Sequence, residues 1–136
     1  MFKPIETTYR GYRFRSRLEA RWAAAFTIAG IAWRYEPEGF ELDEETFYLP
    51  DFFLPFTDGG EYPGGNPSEP GVYVEIKPTQ PTIEEQRRAA LLSRHAGHVT
   101  FLVAGVPGEH AVIKYKGGMF AGSAAPDDLF LPYIIH

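Results

Sequence analysis

Val72-Tyr73-Val74-Glu75-Ile76-Lys77-Pro78 decides the fold. Alternation along this stretch puts Val72, Val74 and Ile76 on one face of a strand and Tyr73, Glu75 and Lys77 on the other. Pro78 ends it. Downstream, Thr82 with Glu85 three residues later forms a capping box that opens a helix reaching about Ala96. Gly97 stops that helix before a strand over Val99 to Ala104, so strand, helix and strand follow in close succession. A hairpin over Ala111 to Phe120, turning at Gly117-Gly118, comes next.

Upstream, residues 57–71 hold five Gly and three Pro in fifteen positions and read as a loop inserted between two strands. Before it, short runs rich in aromatic and β-branched residues predict strands at Ile31 to Tyr35, Gly39 to Leu42, Thr46 to Leu49 and Asp51 to Leu54. Pro50 interrupts the last two, which are taken together as one broken strand. Ser16 to Ala29 predicts a helix, with Leu18, Trp22, Ala25, Phe26 and Ala29 at helical spacing and Gly30 as its stop. The expected class is α/β in the α+β sense, a mixed central sheet flanked by helices in the order α-β-β-β-α-β.

The chain of 136 residues fits a single domain over 1–136, and its 44% apolar and 15% aromatic content excludes a disordered or low-complexity chain. With no cysteine there is no disulfide framework, no thiolate metal site and no cysteine nucleophile, and any metal must have O or N ligands. No apolar run approaches the roughly 18 residues of a membrane span, and the first residues lack a signal-peptide core. A soluble, unprocessed, cytoplasmic protein is expected. The net charge of −5 hides a lopsided distribution: residues 1–35 carry seven Lys or Arg against two Glu, while residues 36–75 carry eleven acids and no base. A basic segment followed by an acidic one suits a polyanion surface beside a cation site.

The chemistry concentrates at Asp51, Glu75 and Lys77. Glu75 and Lys77 project from one face, and a neighbouring strand can bring Asp51 beside Glu75. Hard carboxylate oxygens suit Mg²⁺, which takes one or two carboxylates and keeps several waters. An ammonium next to hydrated Mg²⁺ favours hydroxide and stabilises the charge that builds on a phosphorus under in-line attack. Glu19 lies within the aromatic face of the first helix, close in angle to Trp22, Ala23 and Phe26. A carboxylate there needs a partner, and Arg15 one turn earlier is the plain choice.

Four blocks in order carry a resemblance: Phe14-Arg15-Ser16-Arg17-Leu18-Glu19-Ala20-Arg21-Trp22-Ala23, then Tyr35-Glu36-Pro37-Glu38, then Tyr48-Leu49-Pro50-Asp51-Phe52, then Val74-Glu75-Ile76-Lys77-Pro78. Together they resemble the PD-(D/E)xK nuclease superfamily, nearest to its small, single-domain, phage-type endonucleases. The resemblance spans Tyr9 to about Ala104. It implies a restriction-endonuclease-like core and a metal-dependent endodeoxyribonuclease in which Asp51 and Glu75 bind metal, Glu19 is an additional metal-supporting carboxylate and Lys77 is the catalytic lysine. The implied cofactor is Mg²⁺, with Mn²⁺ able to substitute. The implied partner is DNA, duplex or branched, and a phage-encoded chain would act in the host cytoplasm. The chain departs from the family in its long Gly/Pro loop before Glu75 and in having no Gln-x-x-x-Tyr block after Lys77.

Arg10, Arg13, Arg15, Arg17 and Arg21, interleaved with Tyr9, Tyr12 and Phe14, suit phosphate contacts and stacking, and are read as the nucleic-acid-binding arm. Glu38 reads as part of a solvated acidic turn, and Glu36 is left open. His95 and His98 form an H-x-x-H with no third ligand nearby, and are assigned to helix C-capping. Ser123 has no nucleophile elbow around it, which argues against a serine hydrolase. The apolar tail over residues 129–135 must be buried, on its own core or on a second copy in a homodimer. The rival to the nuclease is a nucleic-acid- or protein-binding module that keeps the fold and leaves its chemistry unused.

Overall fold

In the computed structural model, which describes residues 7–56 and 69–124, Arg10 and Gly11 take φ of 49° and 84°. Positive φ at both central residues is what a two-residue hairpin turn demands. They join β1 (Thr7–Tyr9) to β2 (Tyr12–Phe14), so the expected basic arm begins as a small antiparallel hairpin that carries Arg10 and Arg13. Ser16 then caps α1 (Arg17–Ile28), its Oγ accepting the Glu19 N–H at 3.1 Å. A cap of this kind contributes about 1 kcal/mol. Gly30, at φ 76°, ends the helix as expected.

The segment after α1 is less regular than its composition suggests. Of Ile31 to Tyr35 only β3 (Arg34–Tyr35) is extended, while Ile31 is buried in the core. The expectation of one broken strand from Thr46 to Leu54 is overturned. β4 (Phe40–Asp43) and β5 (Thr46–Tyr48) form a separate hairpin, and the chain resumes as β6 (Phe52–Pro55) in another sheet. Leu49, Pro50 and Asp51 carry it between the two, and Pro50 has no N–H to continue a ladder.

β7 (Gly71–Lys77), α2 (Ile83–His95), β8 (Thr100–Val106), β9 (Glu109–Lys116) and β10 (Met119–Ala124) complete the described chain. The full capping box between Thr82 and Glu85 is present, and Gly117 and Gly118 make the final turn. The six-stranded sheet runs β10-β9-β8-β7-β6-β3. Only β7 and β8 are parallel, with α2 as the crossover that a parallel pair needs. The fold is therefore α+β: two helices, a mixed sheet of six strands and two small hairpin sheets among the described residues. Taking only the strands of the large sheet, the order from α1 to β8 is the one the sequence predicts.

The alternation in β7 divides the interior. Val72, Val74 and Ile76 join Trp22, Ala23 and Phe26 of α1 in the main core, together with Phe14, Phe52, Phe101 and Val103. Tyr73 packs with Leu92 of α2, and Ala89 of α2 packs with Leu102 and Tyr115. The helices thus cover opposite faces. Trp22 also donates its indole N–H to the Gly105 carbonyl at 2.9 Å, fastening α1 to the end of β8. Gly105 has φ 106°, and a Cβ there would lie 2.6 Å from the Glu109 carbonyl oxygen. Only glycine fits.

His95 and His98 do not act as a pair. His95 meets Phe40 edge-on at 5.8 Å between ring centroids, whereas His98 lies beyond the helix, buried against Phe53 and Tyr73. The Gly/Pro-rich loop lies outside the described residues except at its end, 69–71, and the tail over 129–135 lies wholly outside them. No helix among the described residues is long and apolar enough to cross a membrane.

Candidate active site

β6 and β7 run antiparallel with Phe52 opposite Val74, so the residue before β6, Asp51, arrives beside Glu75. The Asp51 N–H donates to Glu75 Oε2 at 3.1 Å, and the Ile76 N–H donates to Asp51 Oδ2 at 2.7 Å. The Asp51 carboxylate therefore stands in for the next rung of the ladder, satisfying a donor that the end of β6 would leave orphaned. The Asp51 carbonyl in turn accepts the Glu36 N–H at 2.7 Å. Glu36 has φ 44°, a left-handed conformation costly for a residue with a side chain.

Glu19 approaches from α1. Its side chain lies on the buried face with Trp22, Ala23 and Phe26, accepts the Tyr35 hydroxyl at 2.9 Å and brings its charge close enough to act on Asp51. The Tyr35 oxygen accepts the Arg15 N–H at 3.1 Å, which ties the end of the β1–β2 hairpin to the carboxylates. The plain alternative, an Arg15–Glu19 ion pair, is not the arrangement found: Arg15 Nε lies 2.9 Å from Glu36 Oε2.

Glu19, Asp51 and Glu75 are only 9%, 8% and 8% exposed. Burial, with the charges of Glu75 and Glu19 added, pushes the Asp51 carboxyl well above the usual carboxylate range. Burial also raises Glu75, against the opposing pull of Lys77, the Tyr48 hydroxyl and the Asp51 N–H. Tyr48, itself buried, is pushed upward by burial and by Glu75 and Asp51. Three buried acids, with the Lys77 ammonium in contact with Glu75, make a site that a proton or a cation must neutralise.

The donor set fits Mg²⁺. Its oxygens are hard, mutually repelling and fixed by backbone and tyrosine hydrogen bonds. Among the described residues no three His, Asp or Glu side chains close around one point as a finished cage. Mg²⁺ does not ask for one, since one or two carboxylates with retained waters satisfy it.

Lys77 ends β7 with Nζ 3.4 Å from Glu75 Oε1 and 3.0 Å from Glu85 Oε2. Burial alone would depress its pKa, but the two carboxylates outweigh that effect and hold it above the ordinary value. A pocket of about 150 Å³ opens here, walled by Phe47, Tyr48, Leu49, Glu75, Lys77, Glu85 and Arg88. A larger cleft of about 600 Å³ beyond the end of β7 is lined by the loop from Pro78 to Pro81 and by β8 and β9, and contains none of the three acids. Of the three acids only Glu75 lines the smaller pocket, with Lys77 beside it.

The structure thus brings Glu19, Asp51, Glu75 and Lys77 together. Arg10, Arg13, Arg15, Arg17 and Arg21 are all exposed, on the β1–β2 hairpin, the short link after it and α1. Arg15 is paired with Glu36, an acid of the site's frame. Three participants escape the sequence reading: Tyr35 on Glu19, Tyr48 on Glu75 and Glu85 on Lys77. Both tyrosines stand beside chemistry-bearing acids, at Tyr35-Glu36 and Tyr48-Leu49-Pro50-Asp51, and could have been found there as phenols within reach of a carboxylate. Glu85 was already accounted for as a helix cap. No protein-family model, no curated protein and no solved structure matches the chain.

Proposed function

We propose that the protein is a metal-dependent endodeoxyribonuclease of the PD-(D/E)xK kind, hydrolysing DNA phosphodiester bonds. The observation that carries this reading is the exchange of hydrogen bonds at the end of β6, which sets Asp51 beside Glu75 with Lys77 on the same strand and Glu19 arriving from α1. Asp51 and Glu75 hold the cation, and Glu19, steadied by Tyr35, supports it or its water. When bound, Mg²⁺ supplies Lewis-acid polarisation of the phosphate and eases deprotonation of the attacking water. Lys77 orients that water and balances negative charge as it builds on the phosphate oxygens. The exposed arginines of the hairpin and α1 grip the backbone.

The test is a cleavage panel of linear, supercoiled, branched and single-stranded DNA, with RNA alongside, in Mg²⁺, Mn²⁺ and EDTA. Metal-dependent cutting of DNA is expected. Binding in EDTA without turnover in any metal would reject the enzyme and favour the binding module.

A further inference from the structure

We propose that Glu85 is the positioning residue that holds Lys77 in the candidate site, an inference that rests on the hydrolytic reading above. The two oxygens of Glu85 have separate tasks. Oε1 accepts the Thr82 N–H at 2.8 Å, closing the capping box of α2, while Oε2 lies 3.0 Å from Lys77 Nζ. The Glu85 N–H in turn donates to Thr82 Oγ1 at 3.1 Å. The cap fixes the glutamate's direction, so the ion pair is made by a carboxylate that has already lost its rotamer freedom.

A lysine with four flexible carbons needs such an anchor, since its ammonium is a point charge with no fixed geometry of its own. Glu75 is the weaker anchor, at 3.4 Å from Nζ, and its other oxygen is occupied by the Asp51 N–H. A cation drawing on Glu75 would also weaken its hold on the ammonium. Glu85 sits on a different element, in the wall of the pocket shared with Arg88 and Tyr48, and its charge stays available. Lys77 is thereby suspended between Glu75 on its own strand and Glu85 on the helix that follows.

A cap alone does not require glutamate, because glutamine serves equally in a capping box. Glu85→Gln therefore separates the two tasks in the full-length protein. The expected result is a melting temperature close to wild type and an unchanged KM for DNA. With it, kcat at saturating Mg²⁺ should fall about ten- to a hundredfold. In the absence of DNA and metal, the Lys77 ε-amine should react several-fold faster with an amine-acylating reagent, read by peptide mass spectrometry. Unchanged labelling of Lys77 overturns the proposal, as does faster labelling in a variant that cleaves at the wild-type rate. If the wild-type protein cuts no nucleic acid, the hydrolytic reading falls, and the labelling rate alone decides whether Glu85 anchors Lys77.

Discussion

Asp51 and Glu75 do more than face each other: the Asp51 N–H donates to Glu75 Oε2, and Asp51 Oδ2 accepts the amide N–H of Ile76, the residue after Glu75. Each acid is thus oriented by the other's strand, which keeps two like charges closer than they would choose.

Asp51→Asn should separate function from stability. The amide oxygen can still accept the Ile76 N–H, while the buried negative charge is gone. Cleavage should be lost, and the metal-free protein should gain about 1 to 2 kcal/mol, as substitutions that relieve strained functional sites commonly do. That gain corresponds to roughly 4 °C per kcal/mol in the melting temperature. A variant that cut at the wild-type rate, or melted well below it, would contradict the assignment.

Stability should also depend on pH in a particular direction. Burial raises Asp51 and Glu75 in the folded state, with repulsion from Glu75 and Glu19 adding to it at Asp51, so their contribution is full below the unfolded carboxylate pKa and is lost as pH rises through the folded value. In EDTA, the melting temperature should therefore decline as pH climbs above about 4. The exposed Glu84, held at about 2 by Arg87, works in the opposite sense and only in stronger acid. Adding Mg²⁺ should restore the loss, by an increment that grows with pH because cation and proton compete for the same oxygens. Melts across pH with and without Mg²⁺ decide this, and an increment independent of pH would place the cation elsewhere.

Lys77→Ala should cost turnover far more than metal affinity, because in the proposed reaction the ammonium acts on developing charge rather than as a ligand. Calorimetric Mg²⁺ titration set against single-turnover cleavage separates the two effects. Recovery of the full rate in excess Mg²⁺ would show that the lysine serves only to help load the metal.

Tyr35→Phe keeps the ring packed against Phe14, 4.5 Å away between centroids, and against Phe52, yet removes the hydroxyl that bridges Glu19 and the Arg15 N–H. The expected outcome is a loss of about 1 kcal/mol in stability, read by urea melts, together with a larger proportional fall in cleavage rate. A stability loss with unchanged cleavage would make Tyr35 purely structural.

Replacing Arg13 and Arg17 by Ala should lower the slope of log affinity against log salt by about 0.9 for each duplex phosphate that is no longer neutralised. Binding measured in EDTA isolates this from cutting. An unchanged slope would return both residues to an ordinary solvated face.

The elements that could be read from sequence are those with local punctuation. Ser16 and Gly30 bracket α1, Thr82 and Glu85 open α2, and alternation with Pro78 defines β7; strand geometry then allowed a neighbouring strand to bring Asp51 beside Glu75, which the register of β6 on β7 does. What escaped depends on contacts between distant segments or on turns that break composition rules. The β1–β2 turn uses Arg10 where Asn or Gly is usual, which left its two short strands looking like a basic tail. The step from β5 to β6 looked like a flaw in one strand, because nothing near Pro50 says that Phe40 and Tyr48 pair in a sheet of their own. Glu85 already had a sufficient local explanation, and its second oxygen becomes meaningful only when β7 is laid against α2.

The crossover that makes β7 and β8 parallel also sets the moment at which the site can exist during synthesis. Glu19, Asp51 and Lys77 emerge from the ribosome well before Thr100–Val106, yet β7 has a strand on only one side until that segment arrives. Crowding three acids together on a half-built sheet is opposed by their own repulsion, with half the sheet's support still unmade. A nascent chain, or a fragment from an abandoned translation ending before β8, should therefore be chemically inert.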